Sequence, residues 1–188
     1  MKGARWLGVA LLGLTACPAD PVPPAGPSAQ PVLGDVPKGY RRGALVFDPA
    51  ANRAVYMGGD HVGGSERLLT YLDTWVLEGG AWRLLEDAGL PDRSEHTAVF
   101  DTARARVVLF GGFGTCADGG RRCCAETWEL VGDVWERVDV EGPPARVGAS
   151  MVYDAANART LLFGGLICSD EDDASVWSYD GTAWTELR

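Results

Sequence analysis

Cysteine is the residue type with the clearest potential for covalent or metal chemistry in this chain of 188 residues. An even set of four lies in the second half and can form two disulfides in three pairings, of which a direct bond between adjacent cysteines is the most strained. A zinc site is the functional alternative, but two adjacent cysteines rarely reach one tetrahedral ion together, and the sequence has no C-x₂-C pair. The spacing therefore argues against zinc and leaves the disulfide pairing open. The four candidates are Cys116, Cys123, Cys124 and Cys168.

Carboxylate and imidazole groups make a weaker case for a metal site. The run Asp170-Glu171-Asp172-Asp173 could ligate Ca²⁺, which favours clustered oxygen ligands. Its spacing matches no known calcium loop, however, and a solvated run of charge is the favoured interpretation. His61 and His96 lie in different parts of the chain, and neither is beside a second plausible ligand. We therefore expect no metal and no cofactor.

Motifs of nucleophilic catalysis are missing from the sequence. It contains no G-x-S-x-G and no H-E-x-x-H, and no Ser or Cys stands out as an activated nucleophile. The chain is therefore predicted not to be an enzyme. Its formal net charge of −9 would repel phosphate groups, which excludes nucleic acid as a partner.

A repeat of 53 residues organises most of the chain. A double glycine recurs at Gly58-Gly59, Gly111-Gly112 and Gly164-Gly165, each time closing an apolar run. Each copy is a supersecondary unit that must bury its apolar face against the next, so the repeat determines the architecture. Two tryptophans spaced by seven residues follow each double glycine: Trp75 and Trp82, Trp128 and Trp135, and Trp177 and Trp184.

Each copy contains four short runs that predict four antiparallel strands. The runs are too short for helices, are rich in β-branched and aromatic residues, and are punctuated by Gly, Asp or Asn. The second run is apolar at nearly every position, which predicts burial on both faces, whereas the fourth alternates and should lie outside. The third and fourth runs are joined by two residues with glycine first, which predicts a tight hairpin turn at Gly79-Gly80, Gly132-Asp133 and Gly181-Thr182.

Residues that recur at one position of every copy are interpreted as scaffold. Asp48, Asp101 and Asp154 begin the turn between the first two strands, where an Asp side chain accepts backbone N–H groups. The paired tryptophans could form a carbohydrate platform, but their repetition favours packing in the core. Arg93 and Arg146, at the start of copies two and three, are interpreted as ion-pair or carbonyl donors.

The repeat has a counterpart among known families. The order Arg93-x-x-His96, apolar strand, Gly111-Gly112, insert, Trp128 and Trp135 resembles the kelch repeat, the four-stranded blade of one β-propeller class. The resemblance covers about residues 41–188, although no His follows the arginines of the first copy. It implies an all-β fold, a partial β-propeller of three four-stranded antiparallel blades at about 41–88, 91–140 and 144–188. The central domain of galactose oxidase has similar blades, but no residue here can be matched to its copper site.

Three blades are too few for a closed ring, since propellers typically have about four to eight. The end blades of an open arc expose apolar faces, which usually mark an interface. Three outcomes remain open: two chains complete a six-bladed ring, the chain is part of a longer protein, or the arc persists with capped ends. The expected partner of the end blades is therefore either a second copy of this chain or further blades of a longer protein.

The N-terminal segment is predicted to lie outside the fold. Lys2 and Arg5 precede an apolar stretch too short for a permanent membrane helix. It ends in Leu14-Thr15-Ala16-Cys17, which is similar to the lipobox of bacterial lipoproteins. The resemblance implies that residues 1–17 are a signal peptide with its lipobox and that Cys17 is acylated. Residues 18–40 are predicted to be an extended linker rich in Pro and Ala. The same resemblance implies the outer membrane, on its periplasmic or cell-surface side, because Pro18 stands where an Asp would imply retention in the inner membrane of some bacteria.

Export and the propeller resemblance together favour disulfides. Matching inserts of adjacent blades are neighbours on one face of a propeller, which implies that Cys168 bonds Cys123 or Cys124 and that Cys116 bonds the other. The inserts 60–71, 113–125 and 166–175 are the expected binding surface, because loops on a rigid scaffold carry function. The candidate binding residues on them are His61, Glu66, Arg67, Arg121, Arg122, Asp170, Glu171, Asp172 and Asp173.

These features predict a lipid-anchored module for binding or scaffolding at the bacterial envelope, which recognises a protein or a glycan through its propeller loops. One alternative is a fragment of a carbohydrate-active or oxidative propeller enzyme, because fold alone does not determine chemistry. Another is a truncated copy without an independent function.

Overall fold

A computed structural model describes residues 36–38, 40–62, 68–168 and 173–187. These residues form β-strands, turns and loops and contain no helix, so none of their segments is a helix that could cross a membrane. The strands are β1 (Ala44–Asp48), β2 (Arg53–Met57), β3 (Asp60–Val62), β4 (Leu68–Thr70), β5 (Thr74–Glu78), β6 (Ala81–Leu85), β7 (Arg93–Ser94), β8 (Thr97–Asp101), β9 (Arg106–Phe110), β10 (Phe113–Thr115), β11 (Arg121–Cys123), β12 (Thr127–Val131), β13 (Val134–Val138), β14 (Arg146–Val147), β15 (Ser150–Asp154), β16 (Arg159–Phe163), β17 (Leu166–Ile167), β18 (Val176–Tyr179) and β19 (Trp184–Leu187).

Three four-stranded antiparallel sheets carry the repeat. The first sheet has the order β1-β2-β5-β6, the second β8-β9-β12-β13 and the third β15-β16-β18-β19. Each sheet is thus completed within one contiguous stretch of chain, and only the insert between its second and third long strands leaves it. The all-β prediction and the four strands per copy are confirmed, and the architecture is propeller-like.

The hairpin between the third and fourth strands is tight in two of the three sheets and looser in the third. Glu78 pairs with Ala81 and Val131 with Val134, so two residues form each turn. In the third sheet the strand pairing stops at Tyr179 and Trp184, but the backbone N–H of Asp180 still donates to the carbonyl of Ala183 at 3.3 Å, across the predicted Gly181-Thr182 turn. The carboxylate of Asp180 accepts the backbone N–H groups of Thr182 and Ala183, at 2.8 and 2.9 Å, and so takes the donor that would complete the last strand pair.

The second strand of the middle sheet is buried on both faces, as predicted, with Val107 through Phe110 at most 1% exposed. The outer strand alternates, since Trp135 is buried while Val134 and Glu136 are exposed. The prediction fails for the third sheet, where Phe163 is 54% exposed. Only one face of that sheet has a neighbour among the described residues.

Two apolar clusters hold the sheets together. Between the first and second sheets, Val55 and Val76 pack with Leu109, Trp128 and Trp135. Between the second and third sheets, an equivalent cluster contains Val108, Phe110, Leu162, Tyr179 and Trp184. Four tryptophans, Trp128, Trp135, Trp177 and Trp184, therefore lie in or against the cores between sheets, as repetition predicted, whereas Trp82 of the first sheet lines a surface groove.

The turn acids act as predicted. Asp48 accepts the N–H groups of Ala50 and Ala51, and Asp101 and Asp154 accept equivalent groups in their own turns. Each of these acids also pairs with an arginine of its own turn or of the strand that follows: Asp48 with Arg53 and Asp154 with Arg159, both with Nε 3.2 Å from the carboxylate, and Asp101 with Arg104 at 2.7 Å.

Candidate functional site

The inserts between the second and third long strands form what is here called the insert surface. In the first two inserts β3 pairs with β4 and β10 with β11, and the described part of the third consists of β17, Cys168 and the segment from Asp173. The β10–β11 pair joins β7 in a three-stranded sheet, and β17 pairs with β14. β7 and β14 belong to the short segments through which the chain enters the second and third four-stranded sheets, here called entry segments. Backbone pairing with these segments fixes the second and third inserts on the scaffold.

Two predicted binding residues of the second insert form ion pairs at the surface. Arg121 donates to Asp92 at 2.6 Å and to the hydroxyl of Thr70 at 2.8 Å, which ties the second insert to the first. Burial alone would raise the pKa of Asp92, but hydrogen bonds from Thr115, Thr70 and Arg121 hold it below its usual value. Arg122 binds Asp118 within its own hairpin at 2.6 Å. Both arginines thus stiffen the insert surface.

The two repeated entry arginines are buried, and their role is structural, as interpreted from the sequence. The Arg93 guanidinium donates to the carbonyl of Gly111 at 3.2 Å and to Glu126 at 3.3 Å, and it lies 5.4 Å from the ring centroid of Trp128. Arg146 repeats this geometry, with Nη1 3.0 Å from the carbonyl of Gly164.

Asp173, the described member of the acidic run, binds Arg146 at 2.7 Å. Its pKa is lowered by a hydrogen bond from the backbone N–H of Ser175 and by the Arg146 charge. It therefore serves as a fixed counter-ion for the buried arginine. The other members, Asp170, Glu171 and Asp172, lie outside the described residues.

Cys116 and Cys124 are joined by a disulfide with an S–S distance of 2.12 Å, and both are buried. This bond removes two of the four thiolates that a zinc site would need. Cys123 is half-buried and Cys168 exposed, and the two are not bonded to each other. Burial, followed by a hydrogen bond with the Cys168 thiol, raises the pKa of Cys123 to about 11. The two thiols are neighbours, and their pairing stays a prediction.

A groove of about 380 Å³ lies beside the first insert and is lined by Lys38, Tyr40, His61 and Tyr71. The rings of Tyr40 and Tyr71 are stacked, with centroids 3.8 Å apart and planes 13° apart. Burial and the nearby charge of Asp73 raise the pKa of Tyr40 to about 12, so its phenol stays protonated and can donate a hydrogen bond. The groove thus combines a rigid aromatic pair, one cation and an exposed imidazole.

Sequence reasoning identified one of these four groove residues, His61, as a candidate. It missed Tyr40 and Tyr71, because neither tyrosine recurs in the other copies. Tyr40 stands at the position that Arg93 and Arg146 hold in those copies. That departure from the repeat was the available signal. The remaining candidates of this insert, Glu66 and Arg67, and the predicted anchor Cys17 lie outside the described residues.

Sequence reasoning also missed a buried carboxylate at the start of the first insert. Asp60 is fully buried and binds Arg41 at 3.1 Å and Arg42 at 3.3 Å. Arg42 also contacts Glu95 at 2.9 Å in the entry segment of the second sheet. Arg41 and Arg42 thus neutralise a buried acid from exposed positions, whereas Arg93 and Arg146, one place earlier in the other copies, are themselves buried and bind both a carbonyl group and a carboxylate.

Comparison with known proteins gives similarity in fold only. No protein-family model matches the chain, and no curated protein matches it. The chain is similar to the solved structure of YjhT, with a TM-score of 0.62 and 13% sequence identity, over 82% of this chain and 53% of that chain. The chain therefore spans about half the length of YjhT. At this identity the similarity supports the propeller-like architecture and carries no activity across.

Proposed function

We propose that the chain is a lipid-anchored binding module of the bacterial envelope and that its three sheets are kelch-like blades of a propeller. The insert surface is the recognition face in this proposal, and the protein is not an enzyme. The repeat and the three meandering sheets support the propeller, and the lipobox-like Leu14-Thr15-Ala16-Cys17 supports the anchor. The outer membrane is the proposed location.

The groove at the first insert is the observation that favours a glycan over a protein as the ligand. Binding sites for small ligands are concave, and a few polar groups fix the orientation of the ligand on an apolar base. The stacked pair of Tyr40 and Tyr71 supplies a flat apolar base with phenol groups at its edge. Lys38 and the exposed His61 supply donors for hydroxyl or carboxylate groups of a sugar.

A glycan array probed with the full chain in detergent tests this proposal. We expect selective binding, and we expect Tyr71→Leu to weaken it by roughly tenfold because the aromatic pair is lost. Tyr153→Leu is the matched control, since Tyr153 is half-buried in β15 of the third sheet, away from the groove. If Tyr71→Leu bound as well as the wild type, the groove would not be the site. Turnover of the bound sugar, detected by mass spectrometry, would favour the enzyme alternative.

The anchor has a separate test. Cells grown with labelled palmitate should transfer the label to the wild-type chain and not to the Cys17→Ser variant, and the wild type should fractionate with outer membranes. An unlabelled wild-type chain would contradict lipidation and would leave the glycan proposal untouched.

A further inference from the structure

The third sheet has a face that matches a buried face of the other two sheets. In the first sheet this face consists of Val46, Val55, Met57, Val76 and Leu85, all at most 8% exposed against the second sheet. The corresponding residues of the third sheet, here called its open face, remain largely apolar, yet two of them are more than half exposed. These residues are Val152 (58% exposed), Leu161, Phe163 (54% exposed), Ser178 and Leu187.

Two backbone hydrogen bonds recur at both existing junctions between sheets. The N–H of Glu95 donates to the carbonyl of Arg42, and that of Gly148 donates to the carbonyl of Glu95, both at 2.9 Å. Gly148 stands at the same position of the third entry segment. Its carbonyl has no partner among the described residues, although it is the next acceptor in this series.

The second recurring hydrogen bond runs in the opposite direction. The N–H of Gly59 donates to the carbonyl of Arg93 at 2.8 Å, and that of Gly112 donates to the carbonyl of Arg146 at 3.0 Å. Gly165 is the third member of this series, and its N–H finds no partner within the described part of the chain. The third sheet therefore offers both a donor and an acceptor at the positions where a further sheet would dock.

An arginine at the turn of the first sheet adds a third element of the junction. The Nε of Arg53 donates to Asp48, while its two Nη atoms reach across to Asp133 at 2.5 Å and to the carbonyl of Gly132 at 2.7 Å. In the third sheet, the Nε of Arg159 donates to Asp154 at the same 3.2 Å. Its Nη atoms have no partner in the described ranges. The guanidinium is therefore free to bind the hairpin turn of a further sheet, as Arg53 binds the turn of the second sheet.

The first sheet presents the complementary surface. Its outward face includes Leu45 and Phe47, which are 64% and 57% exposed and correspond to Ala98 and Phe100 in the core between the first two sheets. This surface also contains a groove of about 230 Å³ between the entry segment and the sheet. The groove is lined by Pro37, Lys38, Tyr40, Leu45, Tyr56 and Trp82.

The entry segment lies where a junction requires it. Residue 37 corresponds to Leu90, which is 3% exposed between the first and second sheets. Pro37 lines the groove together with Leu45, Tyr56 and Trp82. The residues that correspond to these three, Ala98, Leu109 and Trp135, belong to the same cluster as Leu90, so the entry segment lies against its sheet as its counterpart does at a filled junction. The two end surfaces of the arc thus have the same design as the two halves of an existing junction.

We propose that the open face of the third sheet binds the outward face of the first sheet in a second copy of this chain. Two such junctions, related by a two-fold axis, would close a ring of two chains. The chain matches 53% of YjhT with a TM-score of 0.62, so a similar fold exists at about twice the length of this arc. In each new junction Arg42 would donate to Gly148, Gly165 to Tyr40, and Arg159 to the carbonyl of Gly79.

One recurring contact is missing from the proposed junction, and it offers a sharp test. Trp135 donates its indole N–H to the hydroxyl of Thr74 at 3.0 Å, and Trp184 donates to Thr127 at 2.8 Å. The third sheet has Val176 at this position, so Trp82 of the second copy would find no acceptor. Val176→Thr supplies the hydroxyl and should tighten the dimer about tenfold or more over the two junctions.

Sedimentation velocity of the full chain in detergent measures the association. We expect a closed dimer, and monomers for Phe163→Asp and for Phe47→Asp, each of which puts a charge in one half of the junction. Both side chains are more than half exposed, so the monomers should keep the wild-type circular dichroism spectrum. Val134→Asp, at an exposed site on β13 outside both faces, should stay dimeric.

A mixture of the two charged variants distinguishes this arrangement from others. Phe163→Asp and Phe47→Asp together retain one intact junction, so they should form a mixed dimer weaker than the wild type. A monomeric wild type, or open chains larger than a dimer, would overturn the proposal. So would a dimer that only Phe163→Asp disrupts, because that result means that two third sheets face each other.

Discussion

Gly111 should be far less tolerant of substitution than Gly132, although the two glycines have almost the same backbone conformation. Their φ angles are 70° and 63°, so alanine at either site costs roughly 1–2 kcal/mol for the left-handed backbone alone. A Cβ on Gly132 has nothing within 4 Å, whereas a Cβ on Gly111 would lie 2.7 Å from the carbonyl oxygen of Arg146. That oxygen is backbone and accepts the N–H of Gly112, so it cannot move without loosening the junction with the third sheet.

The clash at Gly111 adds a penalty like that of an overpacked core, about 1–3 kcal/mol. We therefore expect Gly111→Ala to lower the free energy of unfolding by about 2–5 kcal/mol and Gly132→Ala by about 1–2 kcal/mol. Urea denaturation of the two variants, monitored by tryptophan fluorescence, measures both values against the wild type. Equal losses would refute the reasoning, because the close approach of the entry segment would then carry no energy.

The remaining cysteines and the buried histidine give two further predictions. Peptide mapping without reductant should recover the Cys116–Cys124 bond. Incubation with glutathione disulfide should join Cys123 to Cys168, because the two thiols are neighbours. Recovery of glutathione adducts on the separate thiols would contradict this second pairing. Burial and the Arg93 charge lower the pKa of His96 to about 3, so the folded protein keeps it neutral while the unfolded chain binds a proton below about pH 6.5. The contribution of His96 to the free energy of unfolding should thus be complete above pH 6.5 and decline towards pH 3, by at most about 1.4 kcal/mol per pH unit. Urea denaturation of a His96→Gln variant tests this, and the same pH dependence as in the wild type would contradict it.

The scaffold was predictable from the sequence because its signals repeat. Double glycines, tryptophan spacing and turn acids each occur three times, so the strands, the cores between sheets and the caps at Asp48, Asp101 and Asp154 followed from local pattern alone. The third hairpin is looser than the other two because the Asp180 carboxylate accepts the N–H groups of Thr182 and Ala183, an effect that the shared glycine does not reveal.

The candidate site was predictable only in outline. The inserts were located correctly, but their contacts run between segments far apart in the chain, such as Arg121 with Thr70. The stacking of Tyr40 on Tyr71 depends on how the entry segment crosses the first insert, and no spacing rule encodes that path. Similarly, the partner of Cys116 required the geometry of the β10–β11 hairpin, which brings Cys124 within bonding distance.

The contiguous construction of each sheet also shapes how the molecule can form and change. All four strands of the first sheet come from the segment between Ala44 and Leu85. The entropy cost of bringing these strands together is therefore that of closing loops within this segment. This construction favours stepwise folding from the N-terminus as the nascent polypeptide emerges from the ribosome. It also means that duplication or deletion of a whole 53-residue unit breaks no strand pairing, so the length of the array can evolve by simple recombination.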